Sequence, residues 1–193
     1  MIRTATVQDA AAILGIYKYY IENTAITFEC IVPTVDEFAA RIEKTLQKYP
    51  YLVYEQDGEI IGYAYAGPLN VRQAFDWSVE CSIYVAHDKR GSGLGNKLYT
   101  ALENALKLQN IINLSACIAY PEVEDEYLTR NSVGYHSHIG YTMVGEFHKC
   151  GYKFGRWYGM VWMEKHIAPH TAPKPFRVFD DVREELCEKY NIR

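Results

Sequence analysis

Apolar and polar positions recur along this chain with two periods, and each change of period marks a change of element. Residues 2–5 alternate as a short strand, and Thr6 with Asp9 three residues on resembles a helix-starting cap. Ile13, Ile16, Tyr17, Tyr20 and Ile21 then mark one helical face, after which residues 25–29 read as extended. Thr34 and Glu37 form a capping box for a second helix, whose Phe38, Ile42, Leu46 and Tyr49 keep helical spacing until Pro50. Residues 51–55 and 59–66 are β-type runs joined by Asp57-Gly58, a hairpin signal.

The middle of the chain organises the rest. Trp77, Val79, Cys81, Ile83 and Val85 fall on one side of a period-two run, whereas Leu94, Leu98, Leu102 and Ala105 repeat at helical spacing. Between them stands Arg90-Gly91-Ser92-Gly93-Leu94-Gly95-Asn96, a glycine turn opening a helix. Without Cβ atoms at three positions the backbone can aim successive N–H groups at one point, where the positive end of the helix adds to them. A pyrophosphate suits such a turn. The dinucleotide fingerprint G-x-G-x-x-G fails because the third glycine comes one residue early, and the P-loop fails because Gly95 is followed by Asn96.

Beyond the helix, residues 112–119 read as an interior strand, and Glu122, Glu124, Asp125 and Glu126 make an acidic loop. A short helix spans residues 131–139 with Gly140 past its end, and residues 141–150 and 157–165 alternate as strands around a connection at 151–155. Pro169, Pro173 and Pro175 interrupt regular structure before Val182, Leu186 and Tyr190 suggest a last helix. The sum is an α/β (α+β) domain over residues 1–165, a mixed, mostly antiparallel central sheet flanked by helices, with a C-terminal extension over 166–193.

Composition narrows the partners more than the fold. At 193 residues, 49% hydrophobic and 23% charged, the chain suits one globular domain. A net charge of −4 gives no general pull toward nucleic acid or anionic membrane, and no stretch is long and apolar enough to span a bilayer. Five scattered cysteines with no C-x-x-C pair argue against a disulfide framework or a zinc site and for the cytoplasm.

The turn also matches R-x-x-G-x-G/A, the pyrophosphate-binding signature of the GNAT N-acetyltransferases, and the chain resembles the phosphinothricin acetyltransferase branch of that superfamily. Ile26-Thr27-Phe28-Glu29, Gly62-Tyr63-Ala64-Tyr65-Ala66-Gly67-Pro68, Val79-Glu80-Cys81-Ser82-Ile83-Tyr84-Val85, Tyr135-His136-Ser137-His138-Ile139-Gly140-Tyr141 and Gly151-Tyr152-Lys153 carry the likeness in order. It implies the GNAT fold, acetyl-CoA as cosubstrate without a metal, a small amine or amino-acid-like acceptor, and a homodimer; the resemblance does not extend to the tail, whose own apolar spacing makes Val182, Leu186 and Tyr190 candidate dimer contacts. Cofactor contacts are expected from Ile83, Tyr84, Val85, the turn from Arg90 to Asn96, and Asn131. Two departures stand out: Thr129 where the branch usually has Asn, with Asn131 placed directly before Ser132, and a longer tail.

An amine must shed a proton before it attacks a thioester, and Glu80 occupies the branch's catalytic carboxylate position. The resemblance assigns stabilisation of the charge that builds on the thioester oxygen to a backbone N–H of the 83–85 segment, chiefly Val85. His136 matches the branch's helix histidine and is a candidate for proton transfer alongside a tyrosine. Arg72 could grip a substrate carboxylate, with Phe28, Phe75 and Tyr152 walling the acceptor pocket. Acetylation of a protein amine and non-catalytic binding of acyl-CoA remain the alternative functions.

Overall fold

In the computed structural model, which describes residues 1–193, seven strands form one sheet. They are β1 (Ile2–Thr4), β2 (Tyr51–Gln56), β3 (Glu59–Pro68), β4 (Ser78–Val85), β5 (Asn113–Tyr120), β6 (Thr142–Lys153) and β7 (Arg156–His166), in the order β1-β2-β3-β4-β5-β7-β6. All neighbours are antiparallel except β4 and β5, whose connection carries helix α3 (Leu94–Leu108), the crossover that a parallel pair requires. This parallel pair is short. Its register runs from Ser78–Asn113 to Glu80–Ser115, after which β4 continues beside β3 to Val85 and β5 continues beside β7 to Tyr120.

The two faces of the sheet have different covers. Leu98, Leu102 and Leu106 of α3 pack with Val79 and Cys81 on one face, and Ile83 and Val85 lie against the same cluster. Helices α1 (Ala10–Asn23) and α2 (Val35–Leu46) cover the other, burying Ile13, Tyr17, Phe38 and Ile42 against Tyr51, Val53 and Tyr63. Burial of each large side chain contributes about 1.5–3 kcal/mol. Alternation therefore sends Glu80, Ser82 and Tyr84 toward α1 and α2.

Local signals account for most boundaries. The Asp9 carboxylate accepts from the Thr6 N–H at 2.8 Å and is gripped by Arg3 at 2.7 and 2.9 Å, so aspartate does the work usually given to glutamate ahead of α1. At α2 the Thr34 N–H reaches Glu37 at 2.7 Å and the Glu37 N–H reaches Thr34 Oγ1 at 3.2 Å. Asp57 (φ 53°) and Gly58 (φ 82°) make the left-handed turn between β2 and β3.

Three expectations change. Residues 25–29 belong to no strand; they form a loop pinned by its ends and side chains. The β6–β7 connection is the two-residue turn Phe154-Gly155 (φ 52° and 75°), because Gly151, Tyr152 and Lys153 still pair with Tyr158, Trp157 and Arg156. The tail turns at Phe179–Val182 into helix α5 (Arg183–Tyr190), and Phe179, Val182, Leu186 and Ile192 are buried in the core beside α3. Val182 and Leu186 are thus consumed within the chain and leave only Tyr190 of the three proposed dimer contacts in solvent. No helix is long and apolar enough to cross a membrane.

Candidate active site

The parting of β4 from β5 opens the middle of the sheet. The Trp77 carbonyl accepts from the Ile112 and Asn113 N–H groups, on the β5 side, whereas the Ser78 carbonyl accepts from Leu69 and the Ala86 N–H donates to Ile61, on the β3 side. Odd-numbered residues of β4 therefore turn their backbone groups toward β5. Past Glu80 there is no β5 ladder to receive them, so the N–H groups of Ile83 and Val85 face the gap, while the Val85 carbonyl accepts from Tyr20 Oη at 2.6 Å. Tyr84 differs from its expected partners. The residue borders the gap, but its backbone N–H and C=O face β3 and its ring joins the tyrosine cluster under α1.

At the far end of β4 lies the glycine turn. Gly91 (φ 76°) and Gly93 (φ 77°) take the left-handed conformation that only glycine adopts without strain, and α3 begins at Leu94. From Gly91 to Asn96 no backbone N–H finds an acceptor in the chain; the first such donor is Lys97, to Gly93. Ser92 Oγ donates to the Lys89 carbonyl at 2.7 Å and so braces the turn. Arg90 lies over Tyr20, 4.8 Å from the ring centroid, with Nε donating to Tyr20 Oη at 3.2 Å. Gly95 is required by contact: an added Cβ would sit 2.8 Å from Tyr135 Oη. Unpartnered N–H groups at a helix start, in line with a gap in the sheet, fit the pyrophosphate and the extended arm of acetyl-CoA.

Helix α4 (Asn131–His138) closes one side of this gap, with Asn131 exposed at its start. A cavity of about 60 Å³ between the strands is bordered by Ile83, Cys117, Tyr99, Ser132 and His136. His136 is only 4% exposed. Its Nδ1–H donates to the Ser132 carbonyl at 2.7 Å, which leaves Nε2 to accept from Tyr99 Oη at 2.8 Å. Burial lowers the imidazole pKa, so His136 is neutral at physiological pH and acts with Tyr99 as one unit. Tyr99 is a partner the sequence reading missed, hidden among the apolar positions of α3.

Glu80 stands where the strands part, at the last rung of the β4–β5 ladder. Burial, which disfavours the charged form, raises its carboxyl pKa. The loop of residues 25–29 walls this side. Ala25 N–H donates to the Tyr127 carbonyl at 3.0 Å, Thr27 Oγ1 meets Tyr17 Oη at 2.7 Å, and Lys153 Nζ donates to the Thr27 carbonyl at 2.8 Å. Phe28 lies flush on the backbone of Gly151. Lys153 is 5% exposed, and desolvation lowers its pKa. It too was missed, because a lysine after a glycine-tyrosine pair reads as a surface residue.

Not every expected substrate residue joins Phe28. Gly151 and Lys153 share the face toward Thr27 and Phe28, so Tyr152 points the other way, 59% exposed and set against Trp157 at 5.1 Å. Within its own chain Tyr152 is not a pocket wall. Arg72 is exposed and Phe75 half-buried in the β3–β4 connection, which returns to the Glu80 end of β4. The four acids of the loop meet two cations: Asp125 and Glu126 share Arg156 at 2.8 Å and Glu122 pairs with Lys149 at 3.5 Å, while Glu124 accepts from the Arg130 backbone N–H at 2.7 Å.

Comparison with known proteins agrees with this geometry. Residues 2–162 match the family described as Acetyltransferase (GNAT) domain. A phosphinothricin N-acetyltransferase of Streptomyces viridochromogenes is 35% identical over 176 residues, covering 91% of this chain and 92% of that one. An L-methionine sulfoximine/L-methionine sulfone acetyltransferase of Pseudomonas aeruginosa is 35% identical over 175 residues, 89% of this chain and 98% of its own. Among solved structures, a GNAT superfamily phosphinothricin acetyltransferase from Sinorhizobium meliloti in complex with AcCoA superposes with a TM-score of 0.82 at 30% identity, over 94% of this chain and 96% of the other. With its mixed sheet, its parted central strands and its glycine turn, the chain belongs to the GNAT acetyltransferase family.

Proposed function

We infer that this protein is an acetyl-CoA-dependent N-acetyltransferase acting on the amine of a small amino-acid-like compound. One juxtaposition carries the reading: the unpartnered N–H groups from Gly91 to Asn96 and the gap beside Ile83 and Val85 lead to Glu80, a half-buried carboxylate with a raised pKa. Bound acetyl-CoA supplies the acetyl group as an activated thioester. The chain supplies the rest. Glu80 takes a proton from the acceptor's ammonium, directly or through a water, and its raised pKa narrows the gap to an amine. Backbone N–H groups of Val85 and Ile83 donate to the oxygen on which negative charge builds. Tyr99 Oη, ordered by His136, holds a proton at the wall where the sulfur departs. Arg90 to Asn96 hold the pyrophosphate and Asn131 lies at its border, while Phe28, Arg72 and Phe75 border the acceptor.

The relatives named above act, by their names, on phosphinothricin and on methionine sulfoximine and sulfone, which favours a compact acceptor over a protein chain. The same reading places the enzyme in the cytoplasm and makes it a homodimer. Since α5 is folded inward, the second copy belongs on the edge strand β6, where Met143, Val144 and Phe147 are exposed. Sedimentation as a monomer at micromolar concentration would remove that part.

The test is turnover of acetyl-CoA across amino acids, sulfones, phosphinates and peptides, with Glu80→Gln in parallel. The variant should lose about a hundredfold or more in kcat/KM at pH 7, regain rate as pH rises, and bind acetyl-CoA as before. Undiminished rate at pH 7 removes Glu80 as the base, and turnover confined to peptides moves the reading to a protein acetyltransferase.

A further inference from the structure

Outside the gap, the sheet has a second cavity, of about 250 Å³, between α2 and the exposed end of the tyrosine cluster. Its floor is Tyr51, Tyr63 and Tyr65. Their rings stack, with centroids 4.9 Å apart for Tyr51 and Tyr65 and 5.8 Å for Tyr51 and Tyr63. Its rim is Glu29, Arg41 and Lys44.

Two features favour a polar occupant. Tyr51 and Tyr63 are 3% and 1% exposed, and neither hydroxyl has a hydrogen-bond partner in the chain, so each is left to face the solvent in the cavity. These O–H groups border the cavity as donors already in place, able to exchange water for an acceptor that enters it. Burial raises both phenols well above their ordinary pKa and keeps them donors. The rim then sets the sign of the charge. Glu29 is fully engaged, by Arg41 at 2.7 and 3.2 Å and by Tyr17 Oη at 3.0 Å, which leaves Lys44 as an excess cation with no ion-pair partner.

The cavity also lies on the reacting side of the sheet. Tyr65 pairs with Ser82, and Gly67, two residues on, pairs with Glu80, so the side chains of Tyr65, Ser82 and Glu80 share the face toward α1 and α2. Diagonal neighbours on a sheet stand about 7–8 Å apart, roughly the span of a four- or five-atom side chain. We propose that this cavity is an oxyanion subsite, in which Lys44 and the hydroxyls of Tyr51 and Tyr63 hold the carboxylate, sulfonyl or phosphinyl group at the remote end of the acceptor whose amine meets Glu80. The subsite rests on the acetyltransferase reading only for what is attached to the oxyanion. Donors fixed in advance of binding would reject an acceptor that ends in a plain alkyl group, since its arrival leaves them buried and unpaired.

Acetylation kinetics of Lys44→Ala, Tyr51→Phe and Tyr63→Phe, with glutamate and methionine sulfone set against norleucine, test the assignment. Lys18→Ala, on an exposed ion pair of α1, serves as the control for general surface charge. The ratio of kcat/KM for glutamate over norleucine should fall about tenfold in Lys44→Ala, through KM, and severalfold in each phenylalanine variant, whereas Lys18→Ala keeps the wild-type ratio. An unchanged ratio in Lys44→Ala and in both phenylalanine variants overturns the subsite, as does an equal loss in Lys18→Ala. Calorimetry with glutarate, which has no amine, separates this outcome from failure of the enzyme reading. Binding to the wild type that weakens about tenfold in Lys44→Ala supports the subsite even if no amine is acetylated, and absent or equal binding overturns it.

Discussion

Gly151→Ala is the substitution for which the structure makes the sharpest demand. A Cβ there would lie 2.6, 2.7 and 2.8 Å from three atoms of the Phe28 ring, where ordinary carbon contacts need about 3.5–4.0 Å. The ring must retreat by roughly 1 Å. Retreat is opposed because the loop that carries Phe28 is held at both flanks, by Lys153 on the Thr27 carbonyl and by Arg41 on Glu29, with Tyr17 bridging the two. Overpacking of this kind costs about 1–3 kcal/mol. For a chain of this size that lowers Tm by about 2–12 °C in differential scanning calorimetry. The acceptor KM should rise with it while the acetyl-CoA KM holds, because the displaced wall faces only the acceptor. Phe28→Ala should relieve the clash, so the double variant would be more stable than the sum of single effects by about 0.5–3 kcal/mol. Wild-type Tm and acceptor KM in Gly151→Ala, or strict additivity in the cycle, would refute the argument.

Gly93→Asp and Gly93→Asn carry similar left-handed strain, so the difference between them isolates charge; the aspartate should weaken CoA binding at least tenfold more in calorimetry, and equal affinities would move the pyrophosphate elsewhere. Leu186→Ala should cost about 2–5 kcal/mol in urea unfolding because the side chain is 1% exposed within the core, with no change in sedimentation of the folded protein. His136 predicts a pH effect: its folded pKa is lowered from an unfolded value of 6.5, so the unfolded chain binds the extra proton. Its contribution is complete above about pH 6.5 and is lost as pH falls, with a slope of up to about 1.4 kcal/mol per pH unit that His136→Gln should flatten. The same slope in that variant would assign the acid sensitivity to other groups.

Legibility in the sequence followed the range of the interaction. The α2 capping box, the Asp57-Gly58 hairpin and the strand-turn-helix around Gly93 are written within a few residues, and each forms where its pattern places it. The parting of β4 from β5 is not local. It follows from β5 choosing β7 over β4 after Ser115, which no period in either strand reveals. Tyr152 was misdirected for a related reason: a two-residue turn at Phe154-Gly155 extends the ladder, and parity then puts Gly151 and Lys153 inward. His136 was found by resemblance, but its tie to Tyr99 joins helices 37 positions apart in sequence and could be seen only in the folded chain.

Three rungs between β4 and β5 have a mechanical meaning as well as a chemical one. The half-sheet β1–β4 with α1 and α2 and the half-sheet β5–β7 with α4 are tied together by those rungs, by α3 and by the loop of residues 25–29, and the gap is the open mouth between the two halves. A ligand lying in the mouth touches both halves at once and acts as a strut. Whatever free energy it gains in binding also resists their separation, about 2.7 kcal/mol at a hundred times Kd. The enzyme's rigidity would then track the supply of its own cosubstrate, firm when acetyl-CoA is plentiful and slack when it is scarce.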